Sequence, residues 1–191
     1  MKKNTYVIIA LLFVVFNFTN CNESDTTEYH LEQDLLGEWQ MTSFLYNGNT
    51  KMVMSGNTVA ITFVGEGKNI HSTMTFTESP NKVFTSGSYD IELTTTSEEN
   101  SETELLAITS IQEEANWQAD GSVLTIGEIL SRSLTYDGNI LDFFQNRDAI
   151  DFTVEEITAT SLRIRYSFQE LSEDSVMVKE LSADLVMEFK R

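Results

Sequence analysis

The side chains that most often carry enzyme chemistry are scarce in this sequence. It contains two histidines, His30 and His71, and a single cysteine, Cys21. A zinc site needs three or four His, Cys or carboxylate ligands at short spacing, and neither histidine lies in such a motif. Ser–His–Asp catalysis would have to use one of these two histidines, and neither lies in a nucleophile motif. The sequence therefore predicts no metal site, no cofactor and no enzymatic activity.

Carboxylates, in contrast, are abundant. The chain has 30 Asp and Glu against 12 Lys and Arg, which gives a formal net charge of −18 at pH 7. A surface this acidic repels nucleic acid and anionic lipid headgroups, so nucleic acid is excluded as a partner. Residues 97–104 hold several glutamates but lack the alternating Asp/Asn spacing of a calcium loop. This segment is predicted to be a long exposed loop between strands.

The first 20 residues combine a positive start with a short apolar run. Lys2 and Lys3 precede a nearly unbroken apolar segment at residues 6–16, and polar residues then lead to Cys21. The run is shorter than the roughly 20 residues that a membrane-spanning helix needs. Its length is typical of the hydrophobic region of a signal peptide. Residues 1–20 are therefore predicted to be a signal peptide, and the alternative is an uncleaved anchor with a free thiol.

The arrangement around Cys21 resembles a bacterial lipoprotein signal, in which cleavage occurs just before a cysteine that is then lipidated. The resemblance implies a mature chain that begins at acylated Cys21 and binds the membrane through this lipid. Residues 21–34 are polar and acidic and offer little to bury, so they are predicted to be a flexible acidic tether. Acidic residues just after the cysteine resemble the export signals of surface lipoproteins of Bacteroidota. They imply a bacterial outer-membrane location, on either its periplasmic or its outer face.

From Gly37 to the C-terminus, apolar and polar residues alternate in short runs. The clearest runs are residues 59–63, 70–76, 89–93, 162–168 and 181–189. Alternation at period two places one face of a strand in the core and the other in water, which is typical of antiparallel sheets. Asn47-Gly48 and Asp120-Gly121 are predicted to form tight turns, and residues 65–67 a further reversal.

These runs predict an all-β fold of about eight antiparallel strands. An open sheet would leave unpaired edges, whereas a barrel removes them and a sandwich covers one face of each sheet. Because the strands follow one another through short turns, we expect an up-and-down barrel rather than a sandwich. Helical signal is confined to one turn at residues 31–36. The barrel domain is predicted to span residues 35–191.

Gly37-Glu38-Trp39, at the start of the first predicted strand, resembles the Gly-x-Trp signature of the lipocalins. Residues 116–126 and 152–164 resemble two hairpins of lipocalin-like lipoproteins of Bacteroidota, the first of which reads tryptophan, turn, then a Leu-Thr-Ile strand. In lipocalins the tryptophan packs across the closed end of the barrel, and a basic side chain from late in the chain covers it. The resemblance therefore implies a lipocalin-like barrel with Gly37 and Trp39 as structural residues of its closed end.

Residues on the apolar phase of the strands define the candidate ligand site, since closure of the sheet would turn them inward. The candidates are Phe63, Met74, Phe76, Tyr89, Ile91, Tyr166, Phe168 and Met187. Tyr89 and Tyr166 carry hydroxyls that could orient the polar end of a ligand.

Two functions stay open, because an eight-stranded barrel either is filled by side chains or holds one small ligand. The first is a lipid-anchored cell-envelope protein that binds a small apolar ligand in the barrel. The second is a surface interaction module with a filled barrel and no small-molecule ligand. Neither a protein partner nor an oligomeric state is predicted from the sequence.

Replacing Cys21 by serine removes the thiol that would carry the lipid. We expect the Cys21→Ser variant to move from the membrane fraction to the soluble fraction, because acyl chains are the predicted attachment to the bilayer. Immunoblots of fractionated host cells measure this distribution, with Asn22→Ser as the neighbouring control. A Cys21→Ser protein that stays in the membrane fraction would contradict the lipoprotein interpretation.

Overall fold

The computed structural model of the chain describes residues 30–54, 56–127, 148–173 and 177–191. Within these ranges the chain forms α1 (Leu31–Leu35), β1 (Gly37–Met54), β2 (Asn57–Thr77), β3 (Lys82–Ser97), β4 (Ser101–Asp120), β5 (Val123–Gly127), β6 (Ala149–Ile157), β7 (Ser161–Glu173) and β8 (Met177–Lys190). Each strand pairs antiparallel with the next, and β1 also pairs with β8, so the sheet closes into a barrel. The predicted up-and-down barrel of about eight strands is confirmed, as is its short N-terminal helical turn.

The predicted signal peptide, Cys21 and the predicted tether as far as residue 29 lie outside the described residues. The last part of the predicted tether, however, forms α1, in which Leu31 and Leu35 are 3% and 0% exposed. These two leucines join the hydrophobic core of the barrel. The acidic composition of this segment predicts a tether, whereas Leu31 and Leu35 are spaced to face one side of a helix and are buried there.

The predicted turn at Asn47-Gly48 is wrong, because β1 runs straight through these residues. Gly48 pairs with Phe63 on one side and Ala183 on the other. A Cβ atom at this position would lie 2.2 Å from the backbone oxygen of Ser182 and 2.6 Å from the Phe63 ring. Glycine is therefore needed here for close approach of neighbouring groups rather than for a turn.

The predicted reversal at residues 65–67 is also wrong, because β2 is a single strand of 21 residues. A bulge interrupts its pairing with β3, and Asn69 lies within it with φ 49°. The bulge changes the phase of the strand. Phe63 and Met74, one odd-numbered and one even-numbered, are consequently both buried, at 3% and 2% exposure.

Residues 97–104 do not form the predicted long loop. β3 continues to Ser97 and β4 begins at Ser101, with a tight connection in which the Ser97 N–H donates to the Asn100 carbonyl at 2.8 Å. The side chains of residues 101–105 are all exposed. The glutamates of this segment are compatible with a strand because β4 extends beyond the core there, and its charges stay in water.

The core is the interior of the barrel and consists largely of aromatic and branched aliphatic side chains. Ring pairs stack or tilt against each other at centroid distances of 5.0 to 5.9 Å: Tyr46–Phe63, Phe44–Tyr89, Tyr166–Phe168 and Phe152–Tyr166. Such pairs contribute roughly 0.5–1.5 kcal/mol each beyond the apolar area that they bury. Much of the interior is therefore filled by the protein's own side chains.

Replacing Gly48 by alanine is expected to lower the free energy of unfolding by about 1–3 kcal/mol, the usual effect of overpacking a core. The added methyl group would overlap backbone atoms of β8, which cannot rotate away. Gly127→Ala is the matched control, because a Cβ at this strand glycine meets its nearest neighbour at 3.6 Å. Denaturant unfolding of both variants measures the difference. Equal stability of Gly48→Ala and wild type would contradict the close contact between β1 and β8.

Candidate ligand-binding site

Trp39 closes one end of the barrel. Its side chain is 0% exposed, and its Nε1–H donates to the Leu35 carbonyl at 2.7 Å. The guanidinium carbon of Arg191 lies 4.0 Å from the centre of the Trp39 ring, within cation–π range. Arg191 also donates to the Asp34 carbonyl at 2.8 Å and thereby ties the end of β8 to α1. Gly37 starts β1 with φ +108°, a conformation that side-chain-bearing residues rarely adopt.

Trp117 packs at the same end. Its Nε1–H donates to the Thr77 carbonyl at 3.0 Å, and its ring meets Phe76 edge-on at 5.5 Å. The indole N–H of each of the two tryptophans is thus hydrogen-bonded to a backbone carbonyl. Neither indole N–H is therefore left to donate to a ligand.

The barrel interior contains a cavity of about 20 Å³, a volume that admits about one water molecule. Its lining consists of Met41, Ser72, Met74, Thr85, Tyr89, Ile111, Glu113, Met187 and Phe189. The polar side chains all come from the adjacent strands β2, β3 and β4, whereas β1 and β8 contribute only apolar ones. Three of the lining residues are methionines, whose flexible side chains adapt to irregular shapes.

The cavity brings together three of the eight residues that were predicted to line a ligand site, namely Met74, Tyr89 and Met187. The other five do not line it: Phe63, Phe76, Ile91, Tyr166 and Phe168. They are interior residues that pack elsewhere along the barrel; Tyr166 and Phe168, for example, stack on each other at 5.6 Å. Strand phase identifies which side chains point inward, but not the level at which each lies along the barrel axis.

The sequence did not predict that Glu113 lines the cavity, because a bulge in β4 changes the phase of the strand. Gly87 on β3 pairs with Ile111, whereas Tyr89 pairs with Ile108, so a step of two residues on β3 faces a step of three on β4. Ile108 and Ile111 are both buried. The odd spacing of these isoleucines was the available signal, since an unbroken strand cannot bury both. After the bulge, Glu113 shares the inward phase of Ile111.

Thr85 lies directly opposite Glu113 in the β3–β4 ladder, and both side chains line the cavity. The Thr85 Oγ1 atom is buried and has no hydrogen-bond partner among the described residues. Ser72, at 2% exposure, is the one buried residue with a polar or charged side chain other than tyrosine and tryptophan among the described residues. A buried hydroxyl without a partner costs about 1–3 kcal/mol, so an unmatched group of this kind marks a place where a further molecule can bond.

Tyr89 is the third hydroxyl of the cavity. Burial raises the pKa of Tyr89 above its ordinary value, and the negative charge of Glu113 raises it further. Its ring tilts against Phe44 at 5.4 Å, which fixes its position in the wall. The hydroxyl therefore stays protonated at neutral pH and remains a hydrogen-bond donor.

A comparison with solved structures finds a lipocalin-like protein from Bacteroides uniformis. The two sequences are 17% identical, the match covers 78% of this chain and 96% of that protein, and the TM-score is 0.30. A scan against protein-family models finds no match for this chain. A search of curated proteins finds none either.

Within the described ranges, no group of three or more His, Cys, Asp or Glu residues is arranged to hold a metal ion. The side chains of His30 and His71 are both exposed. None of the helical structure in these ranges has the length and apolar character needed to span a bilayer.

The raised pKa of Tyr89 predicts a loss of stability at alkaline pH. Tyrosines in the unfolded chain ionise near pH 10, about their ordinary pKa, while Tyr89 in the folded barrel keeps its proton. The unfolded chain then binds fewer protons than the folded chain, so the free energy of unfolding falls as pH rises above about 10. Tyr89→Phe is expected to make this decline shallower, as measured by denaturant unfolding at a series of pH values. If the free energy of unfolding falls equally with pH in Tyr89→Phe and in wild type, Tyr89 is not the cause of the decline.

Proposed function

We propose that this chain is a lipid-anchored cell-envelope protein that binds a small, mainly apolar ligand inside its lipocalin-like barrel. The observation that carries the proposal is the cavity lined by three methionines and a few convergent polar groups. Small-molecule sites have this composition: an apolar lining sets affinity, and a small number of placed polar groups sets orientation.

Packing requirements alone do not account for the polar lining. Apolar side chains of similar shape would fill this interior without burying the unmatched hydroxyl of Thr85 or turning Glu113 inward. Natural proteins depart from such local rules mainly at functional sites. The departure here is confined to one wall of the cavity, which supports a binding role for that wall.

The volume of the cavity implies that the ligand reshapes its site. Ligand pockets for drug-sized molecules usually enclose roughly 300 Å³ or more, whereas this cavity has about 20 Å³. Met41, Met74 and Met187 have three rotatable side-chain bonds each and can move aside. The apparent affinity is then the affinity of the opened barrel multiplied by the fraction of molecules that are open.

The lipid at Cys21 would hold the barrel at a membrane surface. Support for this part of the proposal comes from the signal-like residues 1–20 and from the polar segment between Cys21 and α1. The acidic surface would keep the barrel away from anionic headgroups while the acyl chains hold it nearby. An outer-membrane location follows from the resemblance of this segment to lipoprotein export signals.

The second candidate function, a surface interaction module, is favoured by a different observation. Leu105 on β4 and Leu171 on β7 are 60% and 61% exposed, at parts of these strands that extend beyond β5 and β6. Exposed apolar side chains of this size are used for protein docking when they form a patch. A filled barrel would serve such a module as a rigid support.

Titration with the neutral fluorescent probe N-phenyl-1-naphthylamine distinguishes the two functions. We expect saturable binding to wild type and at least about tenfold weaker binding to Met187→Trp, because the indole would occupy the cavity. Circular dichroism of Met187→Trp verifies that the barrel is folded. Leu105→Trp, on an exposed position, and Tyr166→Phe, outside the cavity, are the controls and should bind like wild type. Absence of saturable binding to wild type would favour the interaction module.

A further inference from the structure

We propose that the barrel selects neutral ligands that carry a hydroxyl at one end of an apolar chain, and that the Thr85 hydroxyl is the hydrogen-bond partner of this head group. The inference rests on the proposed function, because it names the chemical class of ligand for the same cavity. Three observations carry it: the unmatched oxygen of Thr85, the lack of basic side chains in the described lining, and the size of the space.

The Thr85 hydroxyl differs from several other hydroxyls of β3. Ser86, Thr94 and Thr96 each bond to a hydroxyl on a neighbouring strand at 2.9 Å. Thr85 lines the cavity instead, and its Oγ1 atom is buried without a hydrogen-bond partner among the described residues. A polar group that enters the cavity beside Thr85 would therefore bond to a hydroxyl that these residues leave unmatched.

The two strands beside β3 explain why Thr85 lacks a partner. Thr85 pairs with Met74 of β2 on one side and with Glu113 of β4 on the other. The thioether of Met74 is at most a weak acceptor. Glu113 does not bond to Thr85 and has an interaction of its own within the protein, so the bond to the ligand is assigned to Thr85 alone. Because the threonine hydroxyl both donates and accepts, a ligand hydroxyl is its matching group.

The electrostatics of the cavity favour a neutral head group. None of the described residues that line it is Lys, Arg or His, so a ligand carboxylate would be buried there without a counter-ion. Burial and the negative charge of Glu113 both raise the pKa of Tyr89, which means that this space already disfavours a negative charge. A protonated amine, in turn, would lose its hydration shell in a lining that is largely apolar.

The size of the space fits a hydroxyl. A cavity of about 20 Å³ admits a group about as large as a water molecule. The apolar chain would extend among Met41, Met74 and Met187, whose side chains adapt to irregular shapes. The head would therefore lie at the wall formed by β2, β3 and β4. The chain would lie toward β1 and β8, which contribute only apolar side chains to the lining.

Octanol, its isomer heptyl methyl ether, octanoate and octylamine test this selectivity. Octanol and the ether contain the same atoms, but the ether has no O–H group. Isothermal titration calorimetry of the full chain at neutral pH is expected to show octanol binding about three- to tenfold more tightly than the ether, the range that one hydrogen bond supports. Octanoate and octylamine are expected to bind more weakly than octanol. Equal affinities for octanol and the ether would overturn the inference, as would a preference for octanoate or octylamine.

Thr85→Val and Thr85→Ser form a matched pair of variants, because the first removes the hydroxyl with little change of shape and the second retains it. Thr85→Val is expected to abolish the preference for octanol over the ether while affinity for the ether is unchanged. Thr85→Ser should keep the preference. Thr94→Val, which removes from the same strand a hydroxyl that already has a partner, should bind like wild type. A Thr85→Val variant that retains the preference would overturn the inference.

Stability in the absence of ligand adds a readout that a purely structural role would not produce. Thr85→Val is expected to unfold at the same or a higher denaturant concentration than wild type, because it removes an unmatched buried hydroxyl. A hydroxyl that served only to hold the barrel together would give the opposite result. Lower stability of Thr85→Val would therefore contradict the assignment of Thr85 to a ligand.

The outcomes also separate this inference from the proposed function. If the ether and N-phenyl-1-naphthylamine bind and octanol has no advantage, the barrel is a ligand-binding protein but Thr85 does not select its head group. If none of the compounds binds wild type, the proposed function fails and this inference fails with it, and the cavity holds only a structural water.

Discussion

Closure of the sheet between β1 and β8 is the constraint on which the remaining structure depends. β1 forms ladders with both β2 and β8. Among the described strands, the sheet therefore closes without an open edge at the end that contains Trp39. Unpaired edges expose backbone donors and acceptors that attract other chains. Closure also turns one face of every strand toward the barrel interior. The cavity draws its lining from β1, β2, β3, β4 and β8 and therefore exists only because the first and last strands meet.

The closed end and the cavity wall of the barrel differ in how completely their polar groups are hydrogen-bonded. At the closed end, the indole N–H groups of Trp39 and Trp117 and Nη2 of Arg191 donate to backbone carbonyls, and the guanidinium group of Arg191 lies over the ring of Trp39. The cavity wall is the opposite case, with an unmatched hydroxyl on Thr85 and methionines in place of branched side chains. Natural proteins depart from complete packing and hydrogen bonding mainly at functional sites.

Alternation in the sequence was sufficient to predict the barrel and to turn Met74, Tyr89 and Met187 inward, because period two is a local property of a strand. The errors arose where the decisive neighbour lies far away in sequence. Gly48 resembles a turn glycine until β8 is placed beside it, and Glu113 resembles a solvated acid until the bulge in β4 is known. Bulges and close approaches depend on partner strands, so a single strand's pattern does not contain them.

The pairing of β1 with β8 and the contact of Arg191 with the Trp39 end also set when folding can finish. The hydrogen bond from Arg191 to Asp34 joins residues 157 positions apart, and contacts of such separation form late because the intervening chain has to be ordered first. A chain that is exported as proposed would pass through a translocation channel N-terminus first, with its earlier strands unable to close. The barrel would therefore stay open until β8 has left the channel, and the unclosed chain could still pass through it.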